Sequence, residues 1–467
     1  MSRLARCLSL SFLLSASAAS AHADTLADLA RAYANARSSG VRTTGIAAGT
    51  IRVPSFARQT GLACSACHYQ FLGLTPYGRA FKLNGYTLTA RQFITEKDSL
   101  NGGKLNLSPF SLLSGMATAG VTQLKTAVPG TQNGAAALPQ EFSVFVAGQI
   151  TSRVGLFSQF TYAGADGSFG IDNVDIRYAN HTTGQTKVVY GLTLNNNPSI
   201  QDLWNTTPGW GFPFIGSDAA VGPTAAPVID GNFSQNVLGL GGYTMIGGLV
   251  YGELSVYRSA VQGQAAPDDA SGAISGVAPY WRLALQKEWA HQYLMIGTFG
   301  MHAKLFPDVL SGPTNAYTDV GVDAQFETKA GQGNVVARAS WIHESQTLDA
   351  AVASGAATNT SDNLSTVRFN ASYYPKQWLG LSAGYFQTTG STDPLLYPAN
   401  PIDGSASGSP KSTGFVGEVD FNPWENTRVG LQYTGYGTFN GAKTNYDGSG
   451  RDASGNNSLF AFVWLAF

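Results

Sequence analysis

Cys64-Ser65-Ala66-Cys67-His68 is the stretch of this chain whose residue types and spacing carry chemistry by themselves. Two cysteines in a C-x-x-C spacing with histidine directly after them form the attachment motif of c-type haem. Each thiol adds its S–H across one vinyl group of the haem, leaving a thioether, and His68 supplies an axial imidazole to the iron. Other uses of a cysteine pair fit less well. A structural zinc site wants a second Cys/His pair, and none lies nearby. A disulfide between residues this close would be strained, and a thioredoxin-type pair needs a βαβ context that is absent. The remaining cysteine, Cys7, falls in an N-terminal leader.

That leader sets the compartment. Residues 1–23 read as a secretory signal: Arg3 and Arg6 form the basic end, Leu8 to Leu14 the apolar stretch, and Ala21-His22-Ala23 an A-x-A cleavage site. Covalent haem attachment requires reduced thiols outside the cytoplasm, so leader and motif support one another. The other apolar runs fall far short of the roughly 20 residues a membrane helix needs. If the chain crosses a membrane, it does so as a barrel.

The elements that must position the motif follow from composition and period. The chain has 467 residues with 55 Gly, 20 Tyr, 25 Phe and 8 Trp, but only 12% charged residues, a balance that suits a sheet facing lipid. A net charge of −1 argues against nucleic acid as a partner. Before about residue 106 the pattern is helical in places: Leu26, Leu29, Ala30 and Tyr33 share a face, and Thr75-Pro76 starts a helix that stops near Gly85. Beyond it the period becomes two. Thr318, Val320, Val322, Ala324 and Phe326 alternate with Asp319, Gly321, Asp323, Gln325 and Glu327, and similar runs recur to the C-terminus. Short turns alternate with long Gly-, Ser- and Asp-rich loops, as periplasmic turns and outer loops do. The expected fold is therefore mainly β: an antiparallel transmembrane barrel of about sixteen strands over 107–467, with a small helical haem segment at 24–106 as its plug.

Strand phase bears on the iron's sixth ligand. Between Asp24 and Gly115 His68 is the sole histidine and there is no methionine, so the barrel supplies the sixth ligand, or a weaker group does, or none. Met116 lies in the first strand, joined directly to the haem segment, and ranks first. His302 ranks second, because its phase with Gln292, Thr298 and Lys304 predicts that it faces inward. Met295 and Met301, in phase with Tyr293 and Phe299, are expected to face lipid, as is His343. His181 and His291 fall in periplasmic turns and Met245 near another. Asp319, Asp323, Glu327, Glu253, Glu418 and Asp420 fall on the lumen face, where they would attract a cation or simply line a polar lumen. Asn195, Asn196, Asn197, Asp202 and Asn205 either contact a metal or stabilise turns.

With one C-x-x-C-H segment followed by a barrel in a single chain, the sequence resembles the outer-membrane cytochrome–porin fusions of iron-oxidising bacteria. The resemblance covers the mature chain in architecture and is closest over Val53 to Tyr86 and Gly191 to Phe214. It implies an outer-membrane location, with the haem segment inside the barrel or on its periplasmic side. It implies one haem c, electrons taken from extracellular Fe(II), and their transfer to a periplasmic carrier such as a soluble cytochrome c. Two other functions stay open on the residues alone: the same conduit run outward to an external acceptor, and a diffusion porin with a structural haem plug. Hydrolytic or transferase chemistry has no support, since there is no paired nucleophile and base and no phosphate-binding glycine loop.

Overall fold

Side chains alternate across a strand, so a run with one apolar and one polar face presents them to different surroundings. In Asn315–Ala330, Val320, Val322 and Phe326 stand on the outside, 43%, 46% and 36% exposed, while Asp319, Asp323, Gln325 and Glu327 are buried. Apolar out and polar in is the reverse of a water-soluble sheet. The pattern recurs around a closed ring of sixteen strands in which every neighbouring pair is antiparallel. The computed structural model describes residues 54–89, 94–95, 106–107, 111–184, 186–261, 272–290, 292–307 and 310–467. The leader at 1–23, the amphipathic stretch at 24–37 and His291 lie outside the described residues.

In chain order the barrel strands are β1 (Leu113–Leu124), β2 (Ala136–Gln149), β3 (Val154–Ala163), β4 (Ser168–His181), β5 (Val188–Asn195), β6 (Val237–Ile246), β7 (Val250–Ser259) and β8 (Ala278–Glu288). They continue as β9 (Gln292–Leu305), β10 (Asn315–Ala330), β11 (Gly333–Thr347), β12 (Ser361–Lys376), β13 (Leu379–Gly390), β14 (Ser412–Trp424), β15 (Thr427–Thr438) and β16 (Ser458–Ala466). Each strand pairs with the next, and β16 closes on β1 in the register Ala466 to Met116. One rim carries tight turns, such as 331–332 with Gly331 at φ +60°, a conformation that favours glycine. The other carries the long loops, 391–411 and 439–457 among them. Trp289, Trp378 and Trp424 stand exposed at the tight-turn rim, where a membrane-spanning barrel places its aromatic girdle.

The lumen is filled. Helices α1 (Ser55–Thr60), α2 (Cys64–Cys67) and α3 (Pro76–Leu83), with a small hairpin of His68–Gln70 and Gly73–Leu74 between the last two, lie inside the ring. The Thr75 hydroxyl caps α3 by accepting from the Gly78 amide at 3.2 Å, and Pro76 occupies the first turn, as the sequence predicts. The connection 196–236 between β5 and β6 also turns inward. Its Ile200, Leu203 and Trp204 are buried, as are Val228, Ile229 and Phe233.

This filling corrects one expectation. Met295 and Met301 point into the lumen with Tyr293 and Phe299, and His302 points outward, its Nδ1 paired with Thr318 at 2.8 Å. The outward face of β9 mixes Gln292, Thr298, His302 and Lys304 with Leu294 and Ile296, so its polar phase points the wrong way. The inner face packs on apolar contents instead of water: Met295 and Tyr293 cluster with Leu83, Leu203 and Trp204, and Met301 and Phe299 with Val228, Ile229 and Phe233.

A wall glycine permits the closest approach of the inner segment. A Cβ on Gly155 of β3 would sit 2.0 Å from the Gly85 carbonyl oxygen and 3.0 Å from Tyr86 Cβ. Gly155→Val is expected to leave the barrel folded, judged by heat-dependent gel mobility, while opening segment 54–89 to protease. Overpacking of this kind costs about 1–3 kcal/mol. Unchanged protease resistance would contradict the close contact.

Candidate haem centre

The motif folds as one turn of helix. The His68 backbone N–H donates to the Cys64 carbonyl, so the two thiols and the imidazole emerge within a single turn. Helix α3 clamps this turn from behind. The Thr75 amide donates to the Cys67 carbonyl at 2.9 Å and the Thr75 hydroxyl to the Ala66 carbonyl at 2.6 Å. A Cβ on Gly78 would lie 2.2 Å from the Cys67 carbonyl oxygen, so only glycine lets the two helices meet so closely. Leu62, Ala66 and Tyr77 form the small apolar core beneath.

Both thiols are free. Burial, followed by the charge of Glu425, pushes the Cys64 thiol up to about 11, and burial with the neighbouring Cys64 pushes Cys67 to about 12. Burial lowers the His68 imidazole to about 4, so it is neutral across the physiological range, which is the form that ligates a metal. Its Nδ1 is enclosed without a hydrogen-bond partner. Cys64, Cys67 and His68 nevertheless keep part of their surface accessible, as side chains lining an internal space do. Free thiols within one turn and an uncommitted neutral imidazole fit the thioether-and-histidine attachment of a haem.

The walls hold this centre at the tight-turn rim. The Ser65 hydroxyl lies 3.3 Å from Glu425, in the turn between β14 and β15. Tyr69 donates to Glu327 at 2.9 Å and stacks on Tyr374 with ring centres 5.9 Å apart. Gln70 donates to Glu418 at 3.4 Å and to Asp420. Phe71 lies between His68 and Trp464, at 6.2 and 5.3 Å between ring centres. Arg79 pairs with Glu327 and lies over the Tyr293 ring at 4.2 Å.

Met116 faces the lumen, buried in the cluster of Trp464, Phe462 and Phe460 against which Phe71 and Leu72 pack. His343 stacks on Trp341 on the outer face, and His181 is exposed at the tight-turn rim.

All six expected lumen carboxylates point inward and are buried, and the inner contents and wall residues engage them. Arg282 bridges Asp323 at 2.8 Å and Asp202 of the inner loop at 3.0 Å. Arg428 holds Glu418 and Asp420, each at 2.6 Å. Glu253 accepts from Gln201 at 2.6 Å, and Asp319 from the Ile229 amide at 3.0 Å. The inner-loop amides make turn and wall contacts: Asn196 accepts from the Val174 amide at 2.7 Å, and Asn205 donates to the Leu72 carbonyl at 2.6 Å. Among the described residues no group of three or more His, Cys, Asp or Glu is placed to hold a metal ion. Sequence reasoning missed the arginines that answer these carboxylates. Their shared strand phase is the signal, since Arg282 and Arg428 sit at inward positions of strands whose outward neighbours are apolar.

The barrel resembles known porins in fold. The anion-selective porin from Comamonas acidovorans matches at 12% identity over 76% of this chain and 98% of that chain, with a TM-score of 0.45. The outer-membrane channel DcaP of Acinetobacter baumannii matches at 13% over 76% and 96%, with 0.44, and OmpT of Vibrio cholerae at 10% over 76% and 96%, with 0.42. No family model matches the sequence, and no curated protein does.

Lys82 fastens the haem segment to the inner loop, its Nζ donating to the carbonyls of Ile200 and Asp202 at 2.6 and 2.5 Å and to Asn205 Oδ1 at 3.3 Å. Burial, with Arg177 nearby, lowers it to about 7 against the pull of Asp175, Asp202 and Glu253. A lysine lowered in this way binds fewer protons folded than unfolded between that value and its ordinary 10.5. Its contribution to stability is therefore lowest at and below neutral pH and rises with pH through that window. Protease resistance of segment 54–89 is expected to grow from pH 7 to pH 10 in the native chain, and this rise should be absent in Lys82→Met. Identical profiles would remove Lys82 as its cause.

Proposed function

We propose that this protein binds a single haem c through Cys64, Cys67 and His68 and works as an electron conduit in a bacterial outer membrane. It takes electrons from an extracellular donor, in the first place Fe(II), and passes them to a periplasmic carrier such as a soluble cytochrome c. The observation that carries the reading is the free cysteine pair with a neutral histidine one turn on, inside a membrane barrel at its tight-turn rim. Tight turns mark the periplasmic side of such barrels, so the centre would open toward a periplasmic partner. A haem held there supplies one-electron redox chemistry. The chain's own part is to attach it, present a neutral imidazole and seal it from bulk water with Phe71, Tyr69 and Trp464.

The test has two stages on one preparation. Haem staining on a denaturing gel should be positive in the native chain and lost in Cys64→Ser/Cys67→Ser. Anaerobic Fe(II) added to the oxidised protein should then shift the absorption bands to the reduced form. Absent staining removes the haem assignment, and staining without reduction removes Fe(II) as donor.

A sixteen-strand barrel is also a channel fold. A channel role is read by conductance in planar bilayers, with solute flux through the native chain as the outcome in its favour.

For the sixth iron ligand we favour Met116, supported by its inward side chain and its packing in the cluster that holds Phe71. A thioether ligand raises the potential relative to a second imidazole. Met116→Ala should change the ferric spectrum and lower the midpoint potential. His302→Ala should change neither, since His302 faces outward.

A further inference from the structure

The guanidinium of Arg338 on β11 stands apart from the other inward-facing arginines of the barrel strands. Arg177 pairs with Asp175 at 2.7 Å, Arg282 with Asp202 and Asp323, and Arg428 with Glu418 and Asp420. Arg368 pairs with Asp230, and Arg79 of the haem segment with Glu327. Arg338 is only 3% exposed, yet it forms no ion pair with any described carboxylate. Its Nε donates to Gln325 Oε1 at 2.8 Å, its Nη1 has no hydrogen-bond partner, and the Phe214 ring lies 5.5 Å from its Cζ. Glu327 attracts it only at longer range, its oxygens being hydrogen-bonded by Arg79, Tyr69 and Gln325.

A buried cation without a direct ion pair is costly, so the direction in which the free guanidinium edge faces matters. It faces the haem segment. A Cβ on Gly73 would lie 3.6 Å from Arg338 Nη2, and Gly73 pairs with Gln70 in the hairpin that begins at His68. The missing side chain at Gly73 leaves that edge uncovered on the side of the hairpin whose first strand starts at His68. A haem brings two propionate carboxylates, and a guanidinium fork matches a carboxylate with two parallel hydrogen bonds.

We propose that Arg338 of the barrel wall is the counter-ion of a haem propionate, so that wall and inner segment build the haem site jointly. The inference rests on the haem reading of Cys64, Cys67 and His68 and adds a positioning residue that the motif does not contain. A cation beside a propionate offsets the negative charge that favours ferric iron, so Arg338 raises the midpoint potential.

The full-length haem-stained protein tests this by spectroelectrochemistry across pH. Arg338→Met should lower the reduced-to-oxidised ratio at fixed potential about tenfold, equal to about 59 mV for a one-electron couple. The pH dependence of its potential should also move upward, because the propionate loses the cation that keeps it ionised. Arg338→Lys should recover most of both. If Arg338→Met does not assemble, Gly73→Asp decides, since it sets a competing carboxylate against the same guanidinium and should lower the potential likewise. A haem-loaded Arg338→Met, or in its place Gly73→Asp, with the native potential and pH profile overturns the proposal. A native chain that does not stain for haem overturns the reading beneath it.

Discussion

The structure depends on how charge is balanced inside the barrel. Arg282 lies between Asp323 of the wall and Asp202 of the inner loop, with the Trp204 ring 5.2 Å from its Cζ and none of the three groups in contact with solvent. One guanidinium shared by a wall carboxylate and a loop carboxylate makes the loop part of the wall. Removing the guanidinium would leave two carboxylates buried and unmatched, a loss of roughly 3–5 kcal/mol in comparable pairs. The joint then passes inward. The loop carries Asn205 and the carbonyls of Ile200 and Asp202, which hold Leu72 and Lys82 of the haem segment. Position is transmitted from wall to loop to segment to motif.

That order explains why the segment is assembled from such short pieces. Helix α2 spans four residues and the hairpin strands three and two, lengths that do not persist in water. Their apolar residues do not form one core. Leu83 belongs with Tyr243 and Met245 of the wall, and Phe71 and Leu72 with Met116 and Trp464, while Leu62, Ala66 and Tyr77 pack with each other, as do the rings of Phe56, Phe81 and Tyr86. The barrel supplies much of the segment's hydrophobic surroundings, and the inner loop together with Leu83 of the segment covers the inner face of β9 that would otherwise meet water.

The same reciprocity decides what could be read from sequence. The strands of the second half of the barrel are legible because lipid outside and polar groups inside impose a clean period of two, as in β10 and β14. The start of α3 is legible because Thr75-Pro76 carries a cap. The phase of β9 was not, since Tyr293, Met295, Phe299 and Met301 face apolar contents supplied by residues up to about two hundred positions away in sequence. Nor were the ion pairs. Arg282 with Asp202, or Tyr69 with Glu327, joins elements whose proximity exists only once the loop and segment have turned inward.

The pairing of lumen carboxylates bears on the proposed role of a conduit that handles a cation. A barrel whose acidic residues stood free would bind divalent ions along its length and retain them, because hard oxygen ligands gathered in a low-dielectric wall hold such ions tightly. Here Asp323, Glu418 and Asp420 are matched by guanidinium groups, Glu253 by amide and hydroxyl donors, and Asp319 by a backbone amide. That leaves the acids their role in holding the inner contents while removing a trap between the membrane faces. The hydrocarbon layer is about 25 Å thick and the chain carries a single C-x-x-C-H motif. On the proposed reading, a donor ion therefore needs passage toward one centre more than it needs a resting place on the way. Carboxylates already held by guanidinium, amide and hydroxyl donors, with the one proposed redox group, satisfy both conditions together.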